Sequence, residues 1–327
     1  MKISIAMATY NGAEYIQEQL DSFAVQTRCP DELVICDDGS HDETVDIIEK
    51  FMETVNFQVR FYRNNKRLGF AANFEKAINL CNCDIIVLSD QDDIWYPDKL
   101  ETLKLAFDQS EDVGFVISNA DILDERGNDI GKTLWQARNF SFKKYENLCN
   151  KDQFRTMLQY AISTGMVSAF IKKVRKIAGP LPEGMSHDSW YLHVAAGLNI
   201  TGVILSRSLV GYRQHERQAV GTAKIGLMQK IFKQFYKQQC TFERKIYYRS
   251  MLLDRMKHIS SNLKVENVLY LENEINHLEI RDKMKQFVFW KRFVLVIREL
   301  ANGRYKKYSG GFPSAFSDLV PVKCLSD

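Results

Sequence analysis

The first hundred residues alternate between short, continuously apolar runs and segments whose apolar residues recur at helical spacing. Ile3–Thr9 is an apolar run ending in polar residues, and Glu32–Cys36 is a second, stopped by Asp37-Asp38-Gly39-Ser40. Phe57–Tyr62 and Asp84–Leu88 are a third and a fourth. Between them, Glu14–Phe23 places Tyr15, Ile16, Leu20 and Phe23 at helical spacing. Thr44–Phe51 reads as a helix with Asp42 as N-cap, and Phe70–Leu80 as another. Strands apolar along their whole length are buried on both faces. Repeated strand–helix units of this kind therefore predict an α/β fold: a Rossmann-like, mostly parallel central sheet with helices on both faces. In such sheets ligands bind beyond the carboxyl ends of the strands. The polar clusters Thr9-Tyr10-Asn11, Asp37-Asp38 and Asp90–Asp93 fall at those ends.

Past residue 110 the pattern loosens. Val113–Ser118 and Gly202–Leu205 read as further strands, with helices around Lys151–Tyr160 and Trp190–Ala196. After about Gly221 the chain turns helical, basic and aromatic, which predicts a boundary between a region 1–220 and a helical region 221–327. Charge sharpens that boundary. The formal net charge of the 327 residues is +3, but Glu216–Asp327 holds 21 Lys/Arg against 11 Asp/Glu, so the preceding part is acidic. No run approaches the roughly 18 apolar residues of a membrane-spanning helix. Met1-Lys2 leads straight into the first apolar run, leaving no room for a secretory leader. The seven cysteines lack metal-ligand spacing, and an odd count without a leader points to reduced thiols in the cytoplasm.

Asp90-Gln91-Asp92-Asp93 sets three carboxylates within four residues. They repel unless a cation or basic groups compensate, and Mg²⁺ is held by one or two carboxylates together with substrate phosphates. A solvated acidic turn capping a helix that begins near Pro97 would read the same way. A second acidic cluster, Asp37-Asp38, at another strand end of the same sheet favours a ligand site. Asp38 can accept from a base N–H or a ribose hydroxyl, or simply make a turn. The absence of G-x-G-x-x-G after the first strand, and of G-x-x-x-x-G-K-[ST], speaks against a dinucleotide oxidoreductase and a P-loop NTPase.

Ala8-Thr9-Tyr10-Asn11-Gly12, Val34-Ile35-Cys36-Asp37-Asp38-Gly39-Ser40, Asn64-Asn65-Lys66-Arg67-Leu68-Gly69 and Leu88-Ser89-Asp90-Gln91-Asp92-Asp93-Ile94-Trp95 occur in that order. The set resembles family 2 of the inverting glycosyltransferases, with the GT-A fold. His187-Asp188-Ser189-Trp190 and Gly211-Tyr212-Arg213-Gln214-His215 resemble later motifs of its bacterial rhamnosyltransferase-like branch. The resemblance implies nucleotide-sugar binding over about 1–110 and acceptor binding over about 111–220. Thr9, Tyr10 and Asn11 would line the nucleotide and Asp38 would contact the base. The loop from Lys66 to Gly69 would close over the nucleoside. Asp90, with Gln91, would face the ribose or the sugar, and Asp92 would hold Mg²⁺ or Mn²⁺ on the diphosphate. Asp188 matches the catalytic base, and His187 stands where many relatives carry an acid. His215 is either a further metal ligand or an ordinary surface or core histidine. Asp93, Trp95, His187 and Trp190 would lie on the acceptor side, although Asp93 could instead only hold its loop.

Those roles describe one single-displacement transfer. An acceptor hydroxyl needs a positioned base, and the departing nucleoside diphosphate needs positive charge. The implied partners are a nucleotide-sugar donor, dTDP-rhamnose or a UDP-sugar, and a glycan or lipid-linked glycan acceptor of a bacterial surface polysaccharide. Competing readings are a nucleotidyltransferase, which would want a Gly-rich basic loop at the first strand, and an inactive sugar-nucleotide-binding subunit. In the basic tail, Lys224–Lys237 and Lys285–Tyr308 mix aromatics with Lys/Arg, a composition that suits an anionic membrane surface or packing on the catalytic domain. The first reading places the chain in the cytoplasm, peripheral on the inner face of the membrane. Nucleic acid is not expected, given the acidic strand-end edge, and a homo-oligomer stays open.

Overall fold

The computed structural model describes residues 1–150, 152–160, 162–215, 241–259 and 264–320. The chain divides into two compact units, Met1–Ala223 and Lys224–Asp327. In the first, strands β1 (Ile3–Thr9), β2 (Glu32–Asp37), β3 (Gln58–Arg63) and β4 (Ile85–Ser89) are joined through helices α1 (Ile16–Ala24), α2 (Thr44–Thr54) and α3 (Phe70–Leu80). Every residue of β1, β2 and β4 is buried, which is what their unbroken apolar runs require. Asp42, the expected N-cap of α2, sits one residue before the observed one, Glu43, and still accepts the N–H of Thr44 at 3.1 Å.

The chain continues through β5 (Ile94–Trp95), α4 (Lys99–Phe107), β6 (Val113–Leu123), β7 (Asp129–Thr133), α5 (Leu134–Ala137), α6 (Phe142–Asn150) and α7 (Gln153–Gln159). It ends this unit with β8 (Ser168–Ile171), α8 (Lys172–Ala178), α9 (His187–Gly197) and β9 (Thr201–Arg213). All nine strands form one sheet in the order β3-β2-β1-β4-β8-β6-β9-β5, with β7 paired to β6. The first four strands are parallel, as is β6 with β9. β5 pairs antiparallel with β9 and β7 with β6. β8 runs antiparallel to both of its neighbours, β4 and β6, so the turn Gly165–Val167 that precedes it arrives beside the carboxyl end of β4. The strand expected to stop at Leu205 continues to Arg213 and pairs there with β5, Ile94 opposite Gly211.

The second unit, among the described residues, is helical: Thr241–Ile259, Val265–Met284, Phe289–Ala301, Arg304–Tyr308 and Phe312–Leu319. Met284, Val296, Tyr305 and Ala315 form an apolar core there. Beside it, Arg281 grips the Asp318 carboxylate through Nε at 2.6 Å and Nη2 at 3.1 Å, and Tyr305 donates to the same group at 2.6 Å. Among the described residues no helix is long and apolar enough to cross a membrane. The expected amphipathic segment Lys224–Lys237 lies outside the described residues.

Candidate active site

Register brings the polar clusters to one edge. Thr9 at the end of β1 lies opposite Asp37 of β2, and Met7 opposite Ser89 of β4, so the loops after all three strands leave side by side. Asp37 serves the turn itself. It accepts Thr9 Oγ1 at 3.0 Å and the N–H groups of Gly39 and Ser40 at 3.1 and 2.8 Å. Asp38 turns the other way and takes Asn64 Nδ2 at 2.9 Å, Leu68 N–H at 2.7 Å and Gly69 N–H at 2.8 Å. Gly69 has φ of 85°, a left-handed conformation that glycine adopts without cost, and it precedes α3. The Asp38 carboxylate therefore fastens the loop to the sheet edge while still lining the cavity.

Tyr10 and Asn11 are held just as firmly. Gln91 accepts the Tyr10 N–H at 2.9 Å and donates to the Tyr10 carbonyl at 3.2 Å, so one side chain clamps the β1 loop to the β4 loop. A Cβ on Gly12 would stand 2.4 Å from Gln91 Oε1. Asn11, at φ 47°, accepts the His41 N–H at 2.9 Å. Above Tyr10 lies the Arg67 guanidinium, 4.0 Å from the ring centroid.

The acidic run separates into different roles. Asp92 Oδ2 faces His215 Nε2 at 2.9 Å on the cavity wall. Asp90 also lines the cavity, and burial pushes its carboxyl up, helped by the Asp92 and Asp188 carboxylates and opposed by the Lys99 ammonium. Asp93 is fully buried and accepts the Arg213 N–H at 3.2 Å, and burial likewise raises its carboxyl. Lys99 is buried beneath this group, donating to the Met166 carbonyl at 2.6 Å with its Nζ 3.8 Å from the centroid of the Trp95 ring. Burial pulls its ammonium down to about 7 against the pull of Asp93 and Asp90. Arg213 ties the layer together, donating to the carbonyls of Asp92 and Glu125, each at 3.0 Å, and to Glu18 at 2.6 Å.

Asp188, which lines the same cavity, sits in the first turn of α9. Its Oδ2 accepts the Gly165 N–H at 3.0 Å, while Oδ1 accepts the Ser189 N–H at 2.6 Å and the Ser186 hydroxyl. His187 is buried against Phe74, rings stacked 3.9 Å apart, with neither ring nitrogen hydrogen-bonded, and burial lowers its pKa. Arg138 donates to Thr164 Oγ1 at 2.6 Å, and burial lowers its pKa too.

One cavity of about 650 Å³ gathers most of these groups: Thr9, Tyr10, Asn11, Asp38, Asp90, Gln91, Asp92, His187, Asp188 and His215 all line it. Five expected site residues are not brought there. Lys66 is exposed and its neighbour Arg67 takes the cavity position; Gly69 gives its N–H to Asp38. Asp93 holds its loop to Arg213. Trp95 packs edge-on against Phe23 at 4.6 Å, and Trp190 donates from Nε1 to the Ala178 carbonyl at 3.2 Å. Both indoles are core residues, because their strand and helix turn those faces inward. Sequence reasoning missed Arg138 and Ser163–Gly165, which line the cavity but lie in no motif.

The donor set fits a divalent cation. Among the described residues no three His, Cys, Asp or Glu side chains gather into a complete metal site. Asp92 and His215 supply one carboxylate oxygen and one imidazole nitrogen on an open wall. That would leave the remaining coordination positions to phosphate oxygens; one carboxylate with phosphates suits Mg²⁺, and the added imidazole suits a transition metal better.

Comparison with known proteins bears on the family and the fold. The family model described as "Glycosyl transferase family 2" matches residues 4–170. An uncharacterised glycosyltransferase of Nostoc sp. is 35% identical over 153 residues, 46% of this chain, and the match spans only 45% of that relative's length. The dTDP-rhamnosyl transferase RfbG of Shigella flexneri is 29% identical over 305 residues, covering 87% of this chain and 93% of RfbG. The mannosyltransferase PcManGT of Pyrobaculum calidifontis, solved with GDP-Man and Mn²⁺, superposes with a TM-score of 0.51 at 16% identity, covering 97% of this chain and 85% of that one. The fold is accordingly GT-A, followed by a helical region. With a family model that takes in every strand from β1 through most of β8, and the motif residues of those strands gathered at one edge, the chain belongs to glycosyl transferase family 2.

Proposed function

We propose that the protein transfers a sugar from a nucleotide-diphosphate donor to a hydroxyl of a glycan acceptor, in one inverting displacement with Asp188 as base. The observation that carries this reading is that Asp188 and the Asp92–His215 pair line one cavity large enough for a nucleotide sugar. Tyr10, under Arg67, offers an aromatic face to the base, and Asp38 keeps the 64–69 loop against it. Among the described residues Asp188 Oδ2 accepts only the Gly165 N–H, which leaves a lone pair for the acceptor hydroxyl. Its other contacts hold the carboxylate in one orientation, so that it removes the proton as the oxygen attacks the anomeric carbon. Mg²⁺ or Mn²⁺ held by Asp92 and His215 would supply Lewis-acid stabilisation of the leaving diphosphate. Arg138 adds positive charge to the lining of the cavity.

The extended match to the dTDP-rhamnosyl transferase RfbG supports dTDP-rhamnose as donor. The acceptor in this reading is a lipid-linked glycan of a bacterial surface polysaccharide, met at the cytoplasmic face of the membrane. A panel of dTDP-, UDP- and GDP-sugars, incubated with Mn²⁺ and with or without a lipid-linked glycan, tests the proposal. Acceptor-dependent release of nucleoside diphosphate with inverted anomeric configuration is expected. Retention of configuration, or transfer undiminished in Asp188→Asn, overturns the mechanism.

A further inference from the structure

The helix Phe289–Ala301 is turned inside out. Its apolar stripe, Phe289, Trp290, Phe293, Val294 and Ile297, follows the i, i+1, i+4, i+5, i+8 spacing of one helical face, and all five side chains are exposed, Trp290 at 74%. The face turned inward buries Arg292 and Glu299 beside Val296. That orientation is fixed by polar contacts. Arg292 donates to the carbonyls of Phe287 at 3.1 Å and Val320 at 3.3 Å, and Glu299 accepts from His277 at 2.6 Å and Arg304 at 3.1 Å. Rolling the helix to hide its aromatics would strand both charges. The helix Phe312–Leu319 shares the core through Val296 and Ala315 and adds exposed Phe312 and Phe316.

The charges around this stripe choose its occupant. Between Lys283 and Val320 the chain has eight Lys/Arg and two acids. Both acids are taken internally, Glu299 by His277 and Arg304, Asp318 by Arg281 and Tyr305. Lys283, Lys291, Arg298 and Lys306 are exposed. A second copy presenting the same stripe would set cations against cations. An anionic bilayer offers hydrocarbon for the aromatics and phosphate for the lysines.

We infer that this unit is a monotopic anchor: the 289–301 stripe, with Phe312 and Phe316, inserts into the interface of an anionic lipid bilayer. The inference stands on this unit alone and is independent of the transfer reaction. Of the four tryptophans, Trp95, Trp135 and Trp190 are buried, so Trp290 is the reporter. Intact protein is titrated with vesicles of phosphatidylcholine containing about one third phosphatidylglycerol, and with phosphatidylcholine alone. A blue shift of tryptophan emission and co-sedimentation are expected with the anionic vesicles.

Trp290→Phe should still sediment but lose the emission shift, which ties the signal to this stripe. Phe289→Ser/Trp290→Ser should sediment roughly tenfold or more weakly, and Arg298→Glu/Lys306→Glu likewise on the anionic vesicles. Both are exposed substitutions, and an unchanged circular dichroism spectrum confirms that the variants are folded. No sedimentation of the wild type with anionic vesicles overturns the inference. So does a concentration-dependent dimer that shields Trp290 in their absence.

Discussion

Asp92 and His215, 123 residues apart in sequence, face each other across 2.9 Å at the wall of the cavity. Neither residue alone is a metal site, and the pair leaves room for phosphate oxygens. Asp92→Ala and His215→Ala should each remove the Mn²⁺-dependent part of nucleotide-diphosphate affinity while sparing the metal-free part. Calorimetric titration with and without Mn²⁺ checks this. Equal metal enhancement in wild type and either variant would refute the assignment.

Replacing Asp188 by Asn keeps the shape and removes the base. Turnover is expected to fall by roughly 10²–10⁴ while the donor affinity stays within about twofold. A matching loss in donor affinity would instead assign Asp188 to binding.

Gln91 has no chemistry of its own in this reading, yet it satisfies both backbone groups of Tyr10. Gln91→Ala leaves a partly buried N–H without its partner, a cost of about 1–3 kcal/mol. The expected outcome is a lower Tm and a raised donor KM with a smaller change in kcat. A kcat loss as large as that of Asp188→Asn would mean that Gln91 touches the reacting atoms.

His187 gives the protein a dependence on acid. Burial holds its folded pKa below the usual 6.5. As pH falls through 6.5 the unfolded chain takes up a proton that the folded chain refuses, so stability present above that pH is lost below it. His187→Phe keeps an aromatic ring against Phe74 and cannot titrate. Between about pH 7 and 5.5 the variant's Tm should decline less steeply than the wild type's. Parallel declines would show that His187 contributes nothing to the acid sensitivity.

Much of the donor edge could be read in advance, because β1, β2 and β4 are unbroken apolar runs with polar residues at their ends. The far side was less readable. β9 passes through Ser206-Arg207-Ser208, which hides its continuation to Arg213, and β5 is only two residues long. Gly165 reaches the cavity because β8 reverses direction, a property of pairing that leaves no local spacing, and Arg138 joins it from the end of α5, outside any motif. Trp95 and Trp190 misled through their company. They stand beside motif residues, but strand and helix periodicity send neighbouring side chains to opposite sides, and theirs is the core. In the 289–301 helix the stripe itself was visible as aromatics among basic residues. Which way it faced was not, since the period is the same for either rotation, and Arg292 and Glu299 decide it.

The separation of Asp92 from His215 also matters on the ribosome. A nascent chain that has released β1 through β5 already carries Asp92 and every strand of the parallel floor from β1 to β4. His215 is synthesised 123 residues later, after β9 has been made. The strands that carry the proposed nucleotide site are thus in hand well before both proposed cation ligands are, and translation halted short of β9 would leave only one of the two.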